Sequence, residues 1–270
     1  MNSTGNNSVT YEVIQYEKGV RRTSSEEFIG EEPLLIRING KPYVVVMRTP
    51  GEELFHAAGL CLGEGIADSP DDFNTIGYCK DLDPNVIDIM IKPERLEKIS
   101  NILERRSYVS QTSCGICGKQ MIDDLYQVLT PAEDGFQVKI NRIFDCVSKL
   151  SEDQKYYRTT KGSHAAMIFD NKLEMVSFAE DVGRHNALDK AIGKAFMNRK
   201  LHEAAILVLS SRISYELVQK VARAHLPIII SHSRPTALAA QMGHALNMTI
   251  GWTGKESDLM LVCGENRIII

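Results

Sequence analysis

Two cysteines stand two residues apart in the stretch Gln111 to Lys119, which reads Gln-Thr-Ser-Cys-Gly-Ile-Cys-Gly-Lys, with the sulfurs at Cys114 and Cys117. Glycines at 115 and 118 let the backbone turn tightly around both sulfurs and leave the thiols open to an approaching reactant. Downstream, apolar Met121, Ile122, Leu125, Val128 and Leu129 recur at helical spacing, which predicts a helix from Lys119 and puts the pair just before its N-terminus. The partial positive charge there, with Lys119 beside it, favours the thiolate, the form that attacks another sulfur.

Such a pair serves four chemistries. Half of a zinc site needs two more ligands at suitable spacing. Cys61, Cys79, Cys146 and Cys263 are instead scattered singly, each reading as a small buried apolar residue. A thioredoxin-like redox pair expects a strand before the motif, whereas Glu104-Arg105-Arg106 precedes this one. A structural disulfide is not needed in a chain of 270 residues. In the fourth chemistry one cysteine holds a persulfide and hands on its outer sulfur. Local sequence favours a reactive thiol over a structural one and leaves redox and sulfur transfer both open.

Three further clusters carry polar chemistry. Glu180-Asp181-Val182-Gly183-Arg184-His185-Asn186 directly precedes an apolar helix. Both acids suit a helix start electrostatically, which leaves Arg184, His185 and Asn186 as a functional surface. Ser210-Ser211-Arg212 and Ser231-His232-Ser233-Arg234-Pro235-Thr236 each follow a predicted strand. Hydroxyls, arginines and free helix amides together suit an anion, while capping alone explains the serines but not the arginines. Neither a Gly-rich dinucleotide fingerprint nor a P-loop is present. His56, alone on its helix, reads as a structural residue.

The elements that must position these groups divide in two. Strands at Tyr11 to Tyr16 and Glu32 to Ile38, an Asn39-Gly40 hairpin into Lys41 to Met47, a helix after Thr49-Pro50-Gly51, strands at Thr75 to Cys79 and Val86 to Ile91, and a helix from Glu94 to Arg105 predict an α+β layer. A helix from Asn141 to Leu150 follows a loop marked by Pro131 and Gly135. Beyond it, Ala165 to Phe169 and Leu173 to Phe178 suggest a hairpin. Then helices alternate with strands at Ala204 to Leu209, Ile228 to Ser231 and Met248 to Trp252, with Leu259 to Cys263 as an edge strand, which predicts a largely parallel α/β sheet. The division falls at 1–135 and 136–270. In open α/β sheets ligands bind beyond the carboxyl ends of the strands, where the serine and arginine loops fall.

Composition narrows the classes further. At 43% hydrophobic, 24% charged and a formal net charge of -4, the chain reads as globular and is poorly suited to phosphate backbones. No apolar run reaches the ~20 residues of a spanning helix, and Met1 to Thr10 is a polar Asn/Ser tail, so a cytoplasmic location without membrane or nucleic-acid partners is expected.

Several segments in order resemble one family, the formate dehydrogenase accessory sulfurtransferases, also called FdhD/NarQ. They are Cys-Gly-Ile-Cys-Gly-Lys at 114–119, Gly162-Ser163-His164-Ala165-Ala166, EDVGRHNALDK from Glu180 to Lys190, Ser211 to Leu217, and Pro235-Thr236-Ala237-Leu238-Ala239. The resemblance implies a sulfurtransferase that accepts sulfur from a cysteine desulfurase as a persulfide on Cys114, assisted by Cys117. It would pass that sulfur to the molybdenum cofactor, Mo-bis-molybdopterin guanine dinucleotide, for formate dehydrogenase as client. It also implies a homodimer and a cytidine deaminase-like C-terminal domain beside the smaller α+β N-terminal one. Deaminase zinc is not expected, since His-x-Glu is missing and no metal is implied. The guanine nucleotide ends of the cofactor would lie against Arg184, His185, Arg212, Ser231 and Thr236. The family's late cofactor-binding stretch aligns with Thr253, Gly254, Lys255, Glu256, Ser257 and Asp258. The chain departs from the family where glycine is usual at Lys161 and Ser211, and alanine at Arg234. A non-catalytic cofactor chaperone and a thiol redox protein are the alternatives.

Overall fold

The computed structural model describes residues 7–78, 84–106, 129–254 and 258–270. Cys114, Cys117, the helix expected from Lys119, Cys79, and Lys255, Glu256 and Ser257 lie outside the described residues.

The chain opens with an antiparallel ribbon, β1 (Ser8–Glu17) and β2 (Val20–Ile29). β3 (Glu32–Ile38) turns back into β4 (Lys41–Arg48), where Asn39 and Gly40 take φ of 48° and 77° as a two-residue hairpin turn requires. After α1 (Glu53–Gly63) come β5 (Phe73–Tyr78), β6 (Val86–Ile91) and α2 (Pro93–Arg106). Strands β4, β3, β6 and β5 form a four-stranded sheet in that order. β7 (Val138–Lys139) leads into α3 (Ile140–Asp153) and the short α4 (Lys155–Thr160).

The second sheet contains β8 (His164–Asp170), β9 (Met175–Asp181), β10 (Ala204–Leu209), β11 (Ile228–Ser231), β12 (Thr249–Thr253) and β13 (Leu259–Cys263), in the order β13-β12-β11-β10-β8-β9. Its connecting helices are α5 (Arg184–Met197), α6 (Tyr215–Arg223) and α7 (Ala237–Ala245), and β14 (Ile268–Ile269) pairs with β7.

Between the sheets, α1 packs against α5, and one apolar cluster joins Leu34, Ile87 and Ile89 of the first sheet to Leu207 and Ile229 of the second through Ala58, Leu188 and Ile192. Because successive side chains of a strand face opposite sides, Ile206 and Val208 of β10 point the other way, into a second cluster under Ile143, Val147 and Leu150 of α3. The helices cross through glycine. A Cβ on Gly59 would overlap the Asp189 carbonyl, and one on Gly193 would overlap the Phe55 carbonyl, so backbone meets backbone at this crossing.

The parallel character expected of the second sheet is confined to its centre. β10, β11 and β12 run parallel, while the β8–β9 hairpin and β13 flank them antiparallel. The return strand begins at Met175 rather than Leu173, because the Asp170 carboxylate accepts from the amides of Lys172 and Glu174, both at 2.8 Å, and lengthens the turn. Likewise α7 starts at Ala237 rather than Pro235: Thr236 is its N-cap, with Oγ1 accepting from the Ala239 amide at 3.3 Å.

A candidate site at the carboxyl edge of the central sheet

The EDVGRHNALDK block closes β9 and opens α5, and its side chains do two different jobs. Glu180 reaches back to α4, where its carboxylate accepts from the amides of Tyr156 and Tyr157 at 2.9 and 3.0 Å and from Ser163 Oγ at 2.9 Å. It therefore caps a different helix from the one that follows it. Asp181 is fully buried; its carboxylate accepts from the amides of Thr49 and Gly183, from Asn186 Nδ2, and from Lys190 Nζ at 2.7 Å. Thr49 completes the clamp. Its hydroxyl accepts from the Val182 amide and its carbonyl from Lys190, while Asn186 also donates to the Met47 carbonyl. Both acids and Asn186 are thus structural, which narrows the functional surface of this block to Arg184 and His185.

Those two residues emerge on the first turn of α5, half-buried. Arg184 Nε is enclosed without a hydrogen-bond partner among the described residues. His185 Nε2 lies 2.8 Å from Glu216 Oε2, in the first turn of α6. Hydrogen bonding from His185 holds the Glu216 carboxyl below its usual range. His164, paired with Asp181 across β8 and β9, is kept toward the neutral form first by burial and then by the Arg184 charge. Ser214, the N-cap of α6, is buried, and its Oγ also lacks a partner among the described residues. Neither α5 nor α6 has a side-chain hydrogen bond at its N-cap. Two helix starts without side-chain caps, an arginine and a serine hydroxyl lie on one edge, an arrangement suited to an anion.

The remaining predicted residues lie along the same edge. Leu209 of β10 pairs with Ser231 of β11, which pairs with Trp252 of β12, so the loops after the three parallel strands share a rim. Arg212 and Arg234 are exposed there, with the Arg234 guanidinium 5.9 Å from the centre of the Trp252 ring. Ser231 faces inward: its Oγ lies 2.7 Å from the Ser211 carbonyl and accepts from the Ser233 amide at 2.8 Å. Thr236 caps α7, and Thr253 Oγ1 lies 3.4 Å from His232 Nδ1. Gly254 donates to the Asp258 carbonyl at 2.8 Å, so these two bracket residues 255–257. Lys161 holds a φ of 55°, a conformation that glycine adopts most easily.

Sequence reasoning did not assign Thr49, Ser214 or Glu216 to this region. Thr49-Pro50-Gly51 looked like helix punctuation, and Ser214 and Glu216 fall in a segment with no charge cluster of its own. Among the described residues no group of three or more His, Cys, Asp or Glu could hold a metal ion, and no helix is long and apolar enough to cross a membrane. Cys61, Cys146 and Cys263 are buried, as expected of lone cysteines, and burial raises each thiol pKa, that of Cys146 to about 11.

A model of the FdhD/NarQ family matches residues 29–269. The chain is 33% identical over 268 residues to a sulfur carrier protein FdhD of Streptomyces coelicolor, covering 96% of this chain and 94% of that one. It is 36% identical over 231 residues to a protein of the same name from Sulfolobus acidocaldarius, covering 85% and 86%. Its fold matches a crystal structure described as a formate dehydrogenase accessory protein from Desulfotalea psychrophila, with a TM-score of 0.78 and 20% identity over 98% of this chain and all of that one.

Proposed function

The chain belongs to the FdhD/NarQ family, and from that premise we propose that it is a cytoplasmic sulfurtransferase that carries sulfur on Cys114 to the molybdenum cofactor. In the first step the Cys114 thiolate attacks the outer sulfur of a cysteine desulfurase persulfide. The S–S bond of the donor breaks, the desulfurase cysteine leaves as thiolate, and the persulfide now sits on Cys114. With the cofactor bound, the Cys117 thiolate attacks the inner sulfur of that persulfide, the bond to the outer sulfur breaks, and the outer sulfur leaves as hydrosulfide to Mo-bis-molybdopterin guanine dinucleotide, which reaches the client formate dehydrogenase in sulfurated form. The Cys114–Cys117 disulfide left behind is reduced by an external thiol. Residues 1–135 and 136–270 act as two units in this reading, the second akin to cytidine deaminases.

The observation that carries the acceptor side is the pair of uncapped helix starts at α5 and α6, with Arg184 Nε and Ser214 Oγ enclosed and unpartnered beside them. A phosphate of the guanine dinucleotide supplies the acceptor oxygens those donors lack, and Arg212 and the 253–258 stretch extend the same rim.

Mass spectrometry of the unreduced protein after incubation with a cysteine desulfurase and cysteine tests the donor side. Added sulfur on the Cys114 peptide, absent without the desulfurase, is the expected result. A Cys114–Cys117 disulfide with no added sulfur would instead establish a redox protein. For a non-catalytic cofactor chaperone, Cys114→Ala retains both cofactor binding and formate dehydrogenase activity in cells; for a sulfurtransferase it retains binding only.

A further inference from the structure

Asp189 and Lys220 repeat, one turn further along α5 and α6, the pairing of His185 with Glu216. His185 and Asp189 stand four residues apart on α5, and Glu216 and Lys220 four apart on α6, so each helix presents its two members on one face. Lys220 Nζ reaches both carboxylate oxygens of Asp189 at 2.6 Å, and this largely buried inner rung sets the two helices against each other. The outer rung, His185 Nε2 to Glu216 Oε2 at 2.8 Å, sits where the two helix starts open onto the rim, with side chains 31% and 46% exposed.

An acid in the first turn of α6 serves the helix dipole whatever faces it. At an edge suited to an anion, however, the Glu216 carboxylate also repels the ligand unless a cation stands between them. The other charges around the imidazole are already matched. Asp181 of β9 is closed by Lys190, Asp189 by Lys220, and Glu64, at the end of α1, acts on Asp189. Tyr215 of α6 is held protonated by burial and then by Glu216. His164 of β8 is kept toward the neutral form by burial first, then by Arg184, with His185 adding to the same effect. Acting on His185 itself are Glu216, which favours a charged ring, and Arg184, which opposes it. A bound anion adds to the first influence and offsets the second.

We infer that His185 takes up a proton when an anion binds at the α5–α6 edge, and that Glu216 is the positioning residue that stabilises the imidazolium so formed. This rests on the reading of the edge as a phosphate site for the cofactor, and adds that one of its cations is made at the moment of binding. The proton comes from the buffer and no covalent bond to the ligand forms or breaks. Because the bound state holds the extra proton, affinity rises as pH falls through the histidine range, by up to about tenfold per pH unit for one proton. It levels off once the free protein is already protonated at His185.

Calorimetric titration of the full chain with two guanosines joined through a 5′,5′-pyrophosphate tests the coupling, because the phosphates of such a diester do not titrate near neutral pH. Repeating the titration at about pH 7.5 in buffers of different ionisation enthalpy counts the protons, and an uptake of about half to one proton per ligand is expected. His185→Gln should bind more weakly with almost no uptake, whereas His164→Gln should leave the uptake unchanged. Glu216→Gln keeps an oxygen against the ring and removes only the charge. It should lose most of the uptake and bind about tenfold more weakly at about pH 7.5, yet lie within about threefold of the parent at about pH 5.5, where the ring is protonated without help. An equal weakening at both pH values would make Glu216 a structural residue and overturn its assigned role. Binding without proton uptake, or uptake that survives in His185→Gln, overturns the inference and leaves the phosphate site standing. A parent protein that does not bind the dinucleotide overturns the inference and the phosphate site together.

Discussion

Lys190 Nζ and Asp181 Oδ2 lie 2.7 Å apart with both side chains sealed from solvent, and the same ammonium donates to the Thr49 carbonyl at 2.7 Å. Together they fasten the loop before α1 to the turn before α5. Breaking one partner of a buried pair leaves the other charge uncompensated, which typically costs about 3–5 kcal/mol. Asp181→Asn should therefore lower the urea midpoint by an amount corresponding to about 3 kcal/mol or more. A loss under about 1 kcal/mol would remove the clamp from the account of this fold.

The glycine crossing predicts a sharper contrast. Gly193→Ala or Gly59→Ala drives a methyl group into a backbone carbonyl, which no rotamer change relieves, and should destabilise the protein by about 3 kcal/mol or prevent folding. Gly77→Ala, with nothing near its added carbon, should stay within about 0.5 kcal/mol of the parent. Thermal melts of the three variants make the comparison.

His56 gives the stability a pH dependence. It is fully buried, and its pKa falls well below the ordinary histidine value even though Asn186 beside it favours the charged form. Burial is the larger cause, followed by the charges of Lys190, Lys220 and Arg48. Below a pH of about 6.5 the unfolded chain binds a proton at this position that the folded chain does not. Stability is therefore complete above that pH and lost below it, by up to about 1.4 kcal/mol per pH unit until the folded group also titrates. His56→Met should flatten the acid limb of unfolding measured between pH 7 and 5; an unchanged slope would assign it to other groups.

At the sheet edge, Arg184→Gln should weaken binding of a guanine nucleotide by about tenfold, the loss of one charge-assisted hydrogen bond. Because Arg184 Nε has no partner to lose among the described residues, the melting temperature should hardly change. Calorimetric titration with and without the substitution reads the first effect, and a melt reads the second.

Strongly periodic segments were legible from sequence. Ala204–Leu209, Ile228–Ser231 and Leu259–Cys263 sit where their apolar runs put them, and the Asn39-Gly40 turn closes as its residues require. β2 was not legible, because Val-Arg-Arg-Thr-Ser-Ser-Glu-Glu lacks the apolar alternation of a half-buried strand. α4 escaped for a different reason: with six residues and a cap supplied by Glu180, more than twenty positions away, it has almost no local signal. At the site, Arg184 and His185 stood out by residue type, but the structural duty of Asp181 depends on Thr49 and that of Asn186 on Met47, each more than 130 residues earlier. No spacing rule links positions so far apart.

The crossing of α1 and α5 also bears on how the molecule can move. At one end the two helices are held by the Thr49 clamp and in the middle by touching backbones, and at that same crossing Lys220 ties Asp189 of α5 to α6 with contacts of 2.6 Å. Held to α1 and to α6 at once, α5 is the fixed member of this edge. Arg184 and His185 ride on its first turn, so the fold itself sets their places, whereas Arg212 and Arg234 depend on exposed loops along the same rim for theirs.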